Sequence, residues 1–182
     1  IIVHADDRTS AIRKMARALS KTQIIGINTN KHFLQNIVQS EAFSGSDVTT
    51  AFIEQYAQDE AVQGSLTPSF SLLAKAALLF TLPRTSNHDV LSPPTPTWQH
   101  STGVAYPIDL YCNDVTTSLT VTDEGKHFRI CHPKTEAEAT LTLVSHSATS
   151  LEVESDHQRS RVCFAKTDDI LFIDDGLGHF AF

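Results

Sequence analysis

Nine histidines and three cysteines are the residues of this chain with the widest chemical repertoire. His88 and His127 lie near acidic residues in the sequence, but polar loops often produce such neighbours without forming a site. Cys131 and His132 are adjacent, so in a strand their side chains point to opposite faces and do not share a metal ion. The spacing of these residues therefore predicts neither a metal site nor a catalytic group.

The segment Gly176-Leu177-Gly178 is the glycine pattern that comes nearest to a phosphate-binding loop. It lies between two predicted strands instead of before a helix, so we interpret it as a hairpin turn. The sequence contains no nucleophile elbow, Walker loop or zinc-ligand spacing. The odd number of cysteines, without a CxxC pair, is typical of a protein from a reducing compartment.

Composition restricts the classes of partner. The 182 residues suffice for one or two domains, and their formal net charge is −7. No run of lysines and arginines is present, so we expect no nucleic-acid partner and no anionic membrane surface. No apolar run reaches the roughly 20 residues that a membrane-spanning helix needs. The sequence opens on Ile1 without a methionine, and we expect it to be part of a longer protein.

The N-terminal third predicts a small α/β piece. Residues 1–4 and 22–27 are rich in isoleucine and predict two strands. Between them, residues 7–20 have apolar side chains at helical spacing, and residues 31–39 predict a second helix that Asn30 caps. This gives a strand–helix–strand layer with the helix packed on the sheet. We predict that this domain covers residues 1–62.

Residues 66–182 predict a second domain. Thr67-Pro68 is a strong helix start, and residues 67–82 are apolar on nearly every side. A loop rich in Pro, Ser and Thr follows over residues 83–103. From 104 to 182, short segments alternate between apolar and polar residues, which predicts seven or eight antiparallel strands. The predicted fold class is thus α+β, an α/β piece followed by an antiparallel β-barrel wrapped around one long helix.

Two motifs resemble a known family. Residues 26–30 read Gly-Ile-Asn-Thr-Asn, and residues 50–54 read Thr-Ala-Phe-Ile-Glu. With residues 2–8 and the helix after them, they resemble the C-terminal end of a biotin carboxylase over residues 1–58. The resemblance implies that the catalytic residues precede Ile1, so this chain supplies none.

The order of the domains resembles the biotin carboxylase-containing subunit of acyl-CoA carboxylases, in particular the 3-methylcrotonyl-CoA type, an enzyme of leucine degradation. There a mediator domain called BT, a β-barrel around one helix, follows the biotin carboxylase and joins it to the carboxyltransferase (β) subunit. The resemblance implies biotin, ATP and Mg in the parent enzyme, but no cofactor in this segment. It also implies the remaining biotin carboxylase and biotin carrier domains as partners, in the bacterial cytoplasm or the mitochondrial matrix.

Four residues are candidates for binding or contact. By resemblance, Thr50 and Ala51 run beside the nucleotide, although a histidine is usual where this chain has Ala51, and Thr50 equally suits the capped start of a helix. Trp98 and Tyr106 are candidates for contact with the carboxyltransferase subunit, because aromatic anchors dominate many interfaces. Trp98 plugging one end of the barrel is the alternative. A stand-alone, non-enzymatic binding protein with the same two domains is the alternative for the whole chain.

Overall fold

The computed structural model describes residues 1–27, 29–45, 48–56, 67–82, 103–167, 169–176 and 178–182. These residues form two compact units. The first unit comprises Ile1–Thr67 and Gly176–His179, and the second comprises Pro68–Asp175 and Phe180–Phe182. The predicted boundary at residues 62–66 and nearly all of the predicted loop at 83–103 lie outside the described residues.

The first unit is helical. Its helices are α1 (Arg8–Lys21), α2 (Lys31–Gln39), α3 (Glu41–Ser44) and α4 (Phe52–Tyr56). Both predicted helices are confirmed, and Asp7 caps α1 by accepting a hydrogen bond from the Ser10 N–H at 2.8 Å. The prediction for Asn30 is wrong, because it precedes α2 without making a side-chain capping hydrogen bond.

The two strands predicted around α1 are also wrong. Residues 1–4 and 22–27 form no strand in the part of the chain that the structure describes. Ile2 is 98% exposed and Ile27 is 62% exposed, so these segments lack the covering that a buried strand requires. Gly26 has a φ of +90°, which is incompatible with a continuous strand. The prediction from the isoleucine pattern assumed that a neighbouring strand pairs with each of these segments.

The core of the first unit is small. Ile37 and Phe52 are buried together, and Phe33, Ala42 and Phe43 pack against them. The rings of Phe43 and Phe52 meet edge to face, with 6.1 Å between their centroids. Many large apolar side chains of this unit remain exposed. They are Ile1, Ile2, Ile24, Ile27, Leu34, Val48 and Ile53.

The second unit begins with α5 (Phe70–Thr81). Ser69 Oγ caps this helix by accepting a hydrogen bond from the Leu72 N–H at 3.3 Å, so α5 starts three residues after the predicted start at Thr67. Every residue from Leu72 to Leu79 is buried, including Lys75. The burial of these residues agrees with the prediction of a helix that is apolar on nearly every side. None of the described helices is long and apolar enough to cross a membrane.

An eight-stranded antiparallel sheet completes this unit, and each strand pairs with the next one in the sequence. The sheet approaches a barrel, as the alternating pattern predicted. Helix α5 packs against its first three strands. The strands are β1 (Ala105–Cys112), β2 (Val115–Asp123), β3 (Phe128–Cys131), β4 (Glu138–His146), β5 (Ser150–Ser155), β6 (Gln158–Lys166), β7 (Leu171–Asp174) and β8 (His179–Ala181).

Short turns set the register of the sheet. Asn113 and Asp114 join β1 to β2, and Asp156 and His157 join β5 to β6. All four residues have a positive φ between 49° and 63°, the conformation of a type I′ turn. Asn and Asp tolerate this conformation better than most residues, which is why they mark the turns. The predicted hairpin turn at Gly176 lies between β7 and β8, with Leu177 outside the described residues.

Candidate functional site

Thr50 and Ala51 lie in the turn that leads into α4. Thr50 is exposed and Ala51 is half-buried. The Ala51 carbonyl accepts a hydrogen bond from the Gln55 N–H at 3.0 Å, so the backbone of this turn contributes to the hydrogen bonding of α4. Phe52, the next residue, is buried in the small core of the first unit. The turn therefore offers a ligand the hydroxyl groups of two exposed residues, Thr49 and Thr50.

The structure describes one of the two candidate contact residues. Trp98 lies outside the described residues. Tyr106 is half-buried on β1, directly opposite Val121, which is 2% exposed. Directly opposed residues of an antiparallel pair point to the same face, so the Tyr106 ring shares the face of the sheet that carries Val121. The proposed contact of Tyr106 with another subunit stays a prediction.

His132, Cys112 and Cys131 have surroundings that suit a structural role. His132 Nδ1 accepts hydrogen bonds from the N–H groups of Lys134 and Thr135 at 3.1 and 3.3 Å, so its ring closes the loop between β3 and β4. Burial raises the pKa of the Cys112 and Cys131 thiols above their usual range. Such thiols are poor nucleophiles, because the thiolate is the reactive form. Within the described ranges, no group of three His, Cys, Asp or Glu side chains could hold a metal ion.

Helix α1 is the most strongly charged element of the described chain. It contains Arg8, Arg13, Lys14, Arg17 and Lys21 and no acidic residue. These cations form no long run in the sequence, but Arg13, Arg17 and Lys21 are each four residues apart, a spacing that places side chains on one side of a helix.

A cleft of about 420 Å³ lies beside this charged face. Helix α1 lines it with Thr9, Ile12, Arg13 and Ala16, which recur at helical spacing. Two further side chains from beyond α1 complete the wall, Gln39 at the end of α2 and Ser44 at the end of α3. The cleft is thus lined by one guanidinium group, two hydroxyl groups, one amide group and the two apolar side chains of Ile12 and Ala16.

Arg8 belongs to the same helix but is already occupied. Its Nη2 donates a hydrogen bond to the Phe43 carbonyl at 2.7 Å, and its guanidinium carbon lies 5.1 Å from the centroid of the Phe43 ring. Lys14 is occupied as well, because its Nζ donates to the His4 carbonyl at 2.8 Å. These two cations therefore anchor neighbouring segments to α1, whereas Arg13, Arg17 and Lys21 extend the charged face.

Comparison with known proteins relates part of the first unit to a known family. Residues 1–55 match the family described as Biotin carboxylase C-terminal domain. This segment contains both motifs noted in the sequence and ends within α4. Over this segment the chain is homologous to biotin-dependent carboxylases.

Individual relatives extend this result. Methylcrotonoyl-CoA carboxylase subunit alpha, mitochondrial, from Glycine max is 34% identical over 79 residues, which is 43% of this chain and 11% of that protein. Mitochondrial pyruvate carboxylase from Homo sapiens is 38% identical over 55 residues, or 30% of this chain and 5% of that enzyme. Urea amidolyase from Lachancea kluyveri is 43% identical over 56 residues, or 31% of this chain and 3% of that enzyme. The chain thus spans a small part of each of these relatives.

The match to the methylcrotonoyl-CoA carboxylase subunit is longer than the matches to the other two relatives. A stretch of 79 residues is longer than Ile1–Thr67, the continuous part of the first unit, whereas stretches of 55 and 56 residues fit within it. The match to the methylcrotonoyl-CoA carboxylase subunit therefore extends beyond that segment. A second methylcrotonoyl-CoA carboxylase subunit alpha, from Rattus norvegicus, matches over 78 residues.

Proposed function

We propose that this chain is a segment of the biotin carboxylase-containing subunit of an acyl-CoA carboxylase, of the methylcrotonyl-CoA type. The observation that carries this proposal is the length of the match to methylcrotonoyl-CoA carboxylase subunit alpha, 79 residues against 55 for pyruvate carboxylase. The whole protein uses ATP and bicarbonate to carboxylate biotin, and the carboxyl group then passes to an acyl-CoA. Its compartment is the mitochondrial matrix or the bacterial cytoplasm.

The resemblance implies that the catalytic residues precede Ile1, so we propose that this segment carries no step of ATP or biotin chemistry and is inactive alone. The turn beside the proposed nucleotide position offers the exposed hydroxyl of Thr50, and Ala51 adds no polar side chain.

The sheet and the buried helix of the second unit support a role as a mediator between two catalytic parts. We propose that the near-closed sheet wraps around α5 in the manner of a BT domain and joins the biotin carboxylase to the carboxyltransferase subunit. The burial of α5 from Leu72 to Leu79 and the bond from Lys166 of β6 to the Leu79 carbonyl support this arrangement. A helix enclosed by strands on several sides makes a rigid body suited to holding two partners at a fixed distance.

An activity assay tests the proposed reaction. The full-length polypeptide that contains this chain is purified together with its carboxyltransferase subunit, and ATP-dependent fixation of labelled bicarbonate is measured. 3-Methylcrotonyl-CoA, geranyl-CoA, propionyl-CoA, pyruvate and urea are supplied in turn. We expect the highest kcat/KM with 3-methylcrotonyl-CoA. Preference for another substrate would overturn the methylcrotonyl assignment, and no fixation with any substrate would favour the stand-alone binding protein.

A pull-down with the carboxyltransferase subunit tests the mediator role. We expect Trp98→Ala and Tyr106→Ala in the full-length polypeptide to reduce the amount of captured subunit. The matched control is Tyr111→Ala, which removes a 58% exposed tyrosine from the same strand. A thermal melt of each variant checks that the fold survives. Capture equal to that of the wild type by both variants would overturn these contact residues.

A further inference from the structure

Charge is unevenly distributed in this chain. Helix α1 carries five of the 14 lysines and arginines within 14 residues, whereas the chain as a whole contains 21 acidic residues and has a net charge of −7. Such a local excess of positive charge in an acidic protein attracts anionic groups over several ångströms. The proposed carboxylase function assigns no role to the charged face of α1.

Three of the cations form a row. Arg13, Arg17 and Lys21 are each four residues apart, so their side chains follow one another along one side of the helix. Like charges at this spacing destabilise a helix, and the Asp7 carboxylate, which interacts with Arg13, offsets only part of this charge. Within the described part of the chain, the side chains of Arg17 and Lys21 make no hydrogen bond or ion pair. The row spans about 12 Å along the helix axis.

The row and the cleft share Arg13. The lining of this cleft of about 420 Å³ includes the apolar side chains of Ile12 and Ala16 and the polar side chains of Thr9, Gln39 and Ser44. An anionic ligand with an apolar part satisfies both features, because its carboxylates reach the guanidinium groups while its apolar side chain enters the cleft. Guanidinium groups bind carboxylates in a planar, two-pronged geometry.

We propose that the cation row and the cleft dock an acidic, partly apolar peptide segment of a partner protein. An extended segment of about four residues matches the 12 Å length of the row. The amide of Gln39 and the hydroxyls of Thr9 and Ser44 are suited to hydrogen bonding with the peptide backbone. A nucleic acid fits less well, since it has no apolar side chain for the cleft and is repelled by the net charge of −7. The proposal is independent of the assignment to a carboxylase.

Fluorescence anisotropy with the full-length polypeptide that contains this chain tests the proposal. The probe is a fluorescein-labelled eight-residue peptide of alternating Glu and Leu, at 20 mM and 500 mM NaCl. We expect binding at low salt that weakens at high salt, and a loss of affinity of about tenfold or more in the R13E/R17E variant, since two attractive pairs become repulsive. The matched control, K126E/K134E, makes the same change of charge at exposed positions of the sheet unit and leaves the affinity unchanged.

Several results would overturn the proposal. Equal affinity of R13E/R17E and the wild type for the peptide would show that α1 does not form the binding site. Tighter binding of a twelve-residue oligothymidylate than of the peptide would make the surface a general polyanion site. A wild-type dimer in sedimentation that R13E/R17E dissociates would make a second copy the occupant. If R13E/R17E does not fold, Arg17→Gln replaces it, because the Arg17 side chain makes no hydrogen bond or ion pair with the residues that the structure describes. Unchanged peptide affinity in this variant would equally overturn the proposal.

Discussion

Lys166 shows how one polar side chain at the end of a strand stabilises a helix. Its Nζ donates a hydrogen bond to the Leu79 carbonyl at 2.8 Å and lies 5.0 Å from the centroid of the Phe80 ring. The last carbonyls of a helix lack partners within the helix and carry partial negative charge, so a cation there is favourable. Lys166 therefore ties the C-terminal turn of α5 to strand β6.

Replacing Lys166 by Met tests this contact. Met keeps most of the side-chain volume but removes the charged donor and the cation–π contact. We expect the free energy of unfolding of the sheet unit to fall by about 1–2 kcal/mol. Urea unfolding followed by circular dichroism measures the change. Lys134→Met, at an exposed loop position, is the control, and an equal effect of both variants would contradict the contribution of this bond.

Asp7 gives a pH-dependent prediction. The hydrogen bond from the Ser10 N–H, followed by that from the Ser10 hydroxyl, lowers the pKa of Asp7 below its ordinary value of 3.8. A carboxyl group with a lowered pKa stabilises the folded state above its ordinary pKa, and this stabilisation is lost as the pH falls through the folded pKa. In an NMR titration from pH 6 to 2, we expect the Ser10 amide resonance to move with a midpoint below 3.8. Asp7→Asn removes this transition, and a wild-type midpoint at or above 3.8 would contradict the capping bond.

At the scale of whole elements, the sequence predicted those structures whose partners lie close in the chain. Hairpin strands pair with their sequence neighbours, and residues such as Asp156 mark the turns, so the eight strands could be read from alternation and turn chemistry. The two strands predicted around α1 depended on a partner that sequence periodicity does not reveal. The cleft beside α1 was equally hidden, because Gln39 and Ser44 reach it only through the packing of α2 and α3.

Helix α5 is buried from Leu72 to Leu79, and a single substitution within this stretch tests the packing. Leu78 is fully buried. We expect Leu78→Ala to lower the free energy of unfolding by about 2–5 kcal/mol, because it removes apolar contacts and leaves a cavity. Ser71→Ala, at an exposed position of the same helix, is the control and changes the free energy little. Urea unfolding of both variants measures the difference, and a Leu78→Ala effect within error of the control would show that α5 is not enclosed.

Lys75 is the exception in this apolar helix. Burial lowers its pKa below the ordinary value of 10.5, and nearby Asp175 partly opposes the shift. A buried amine that is easier to deprotonate in the folded state destabilises that state below its folded pKa, and the penalty disappears as the pH rises toward 10.5. We expect the melting temperature of the wild type to rise relative to that of Lys75→Met as the pH rises from 7 to 10.5. Thermal melts at pH 7 to 10.5 measure the difference, and a constant difference would contradict the lowered pKa.

At the scale of the whole molecule, the two units differ in the size of their cores. Of the 26 buried apolar residues in the described chain, four belong to the first unit. These are Leu19, Ile37, Val38 and Phe52. Apolar burial is the main force that stabilises a folded domain, so the first unit has less of it to offset the cost of ordering its chain.

Hydrogen exchange of the 182-residue chain measures this difference directly. We expect amide protection in β2 and β5 to exceed that in α1 and α2 by about tenfold or more, because segments with few buried contacts open at a lower free-energy cost. Mass spectrometry of peptides from each element provides the measurement. Equal protection of both sets would show that the two units unfold together.

The order of pairing in the sheet has a consequence for how the chain folds. Because each strand pairs with the one before it, most contacts within the sheet join residues close in sequence, which corresponds to a low contact order. Low contact order favours rapid folding, since little chain entropy is lost before each contact forms. During synthesis, each hairpin can form as soon as its second strand leaves the ribosome, and α5 is already available as a template. The sheet unit is therefore suited to fold progressively from β1 to β8 while translation continues.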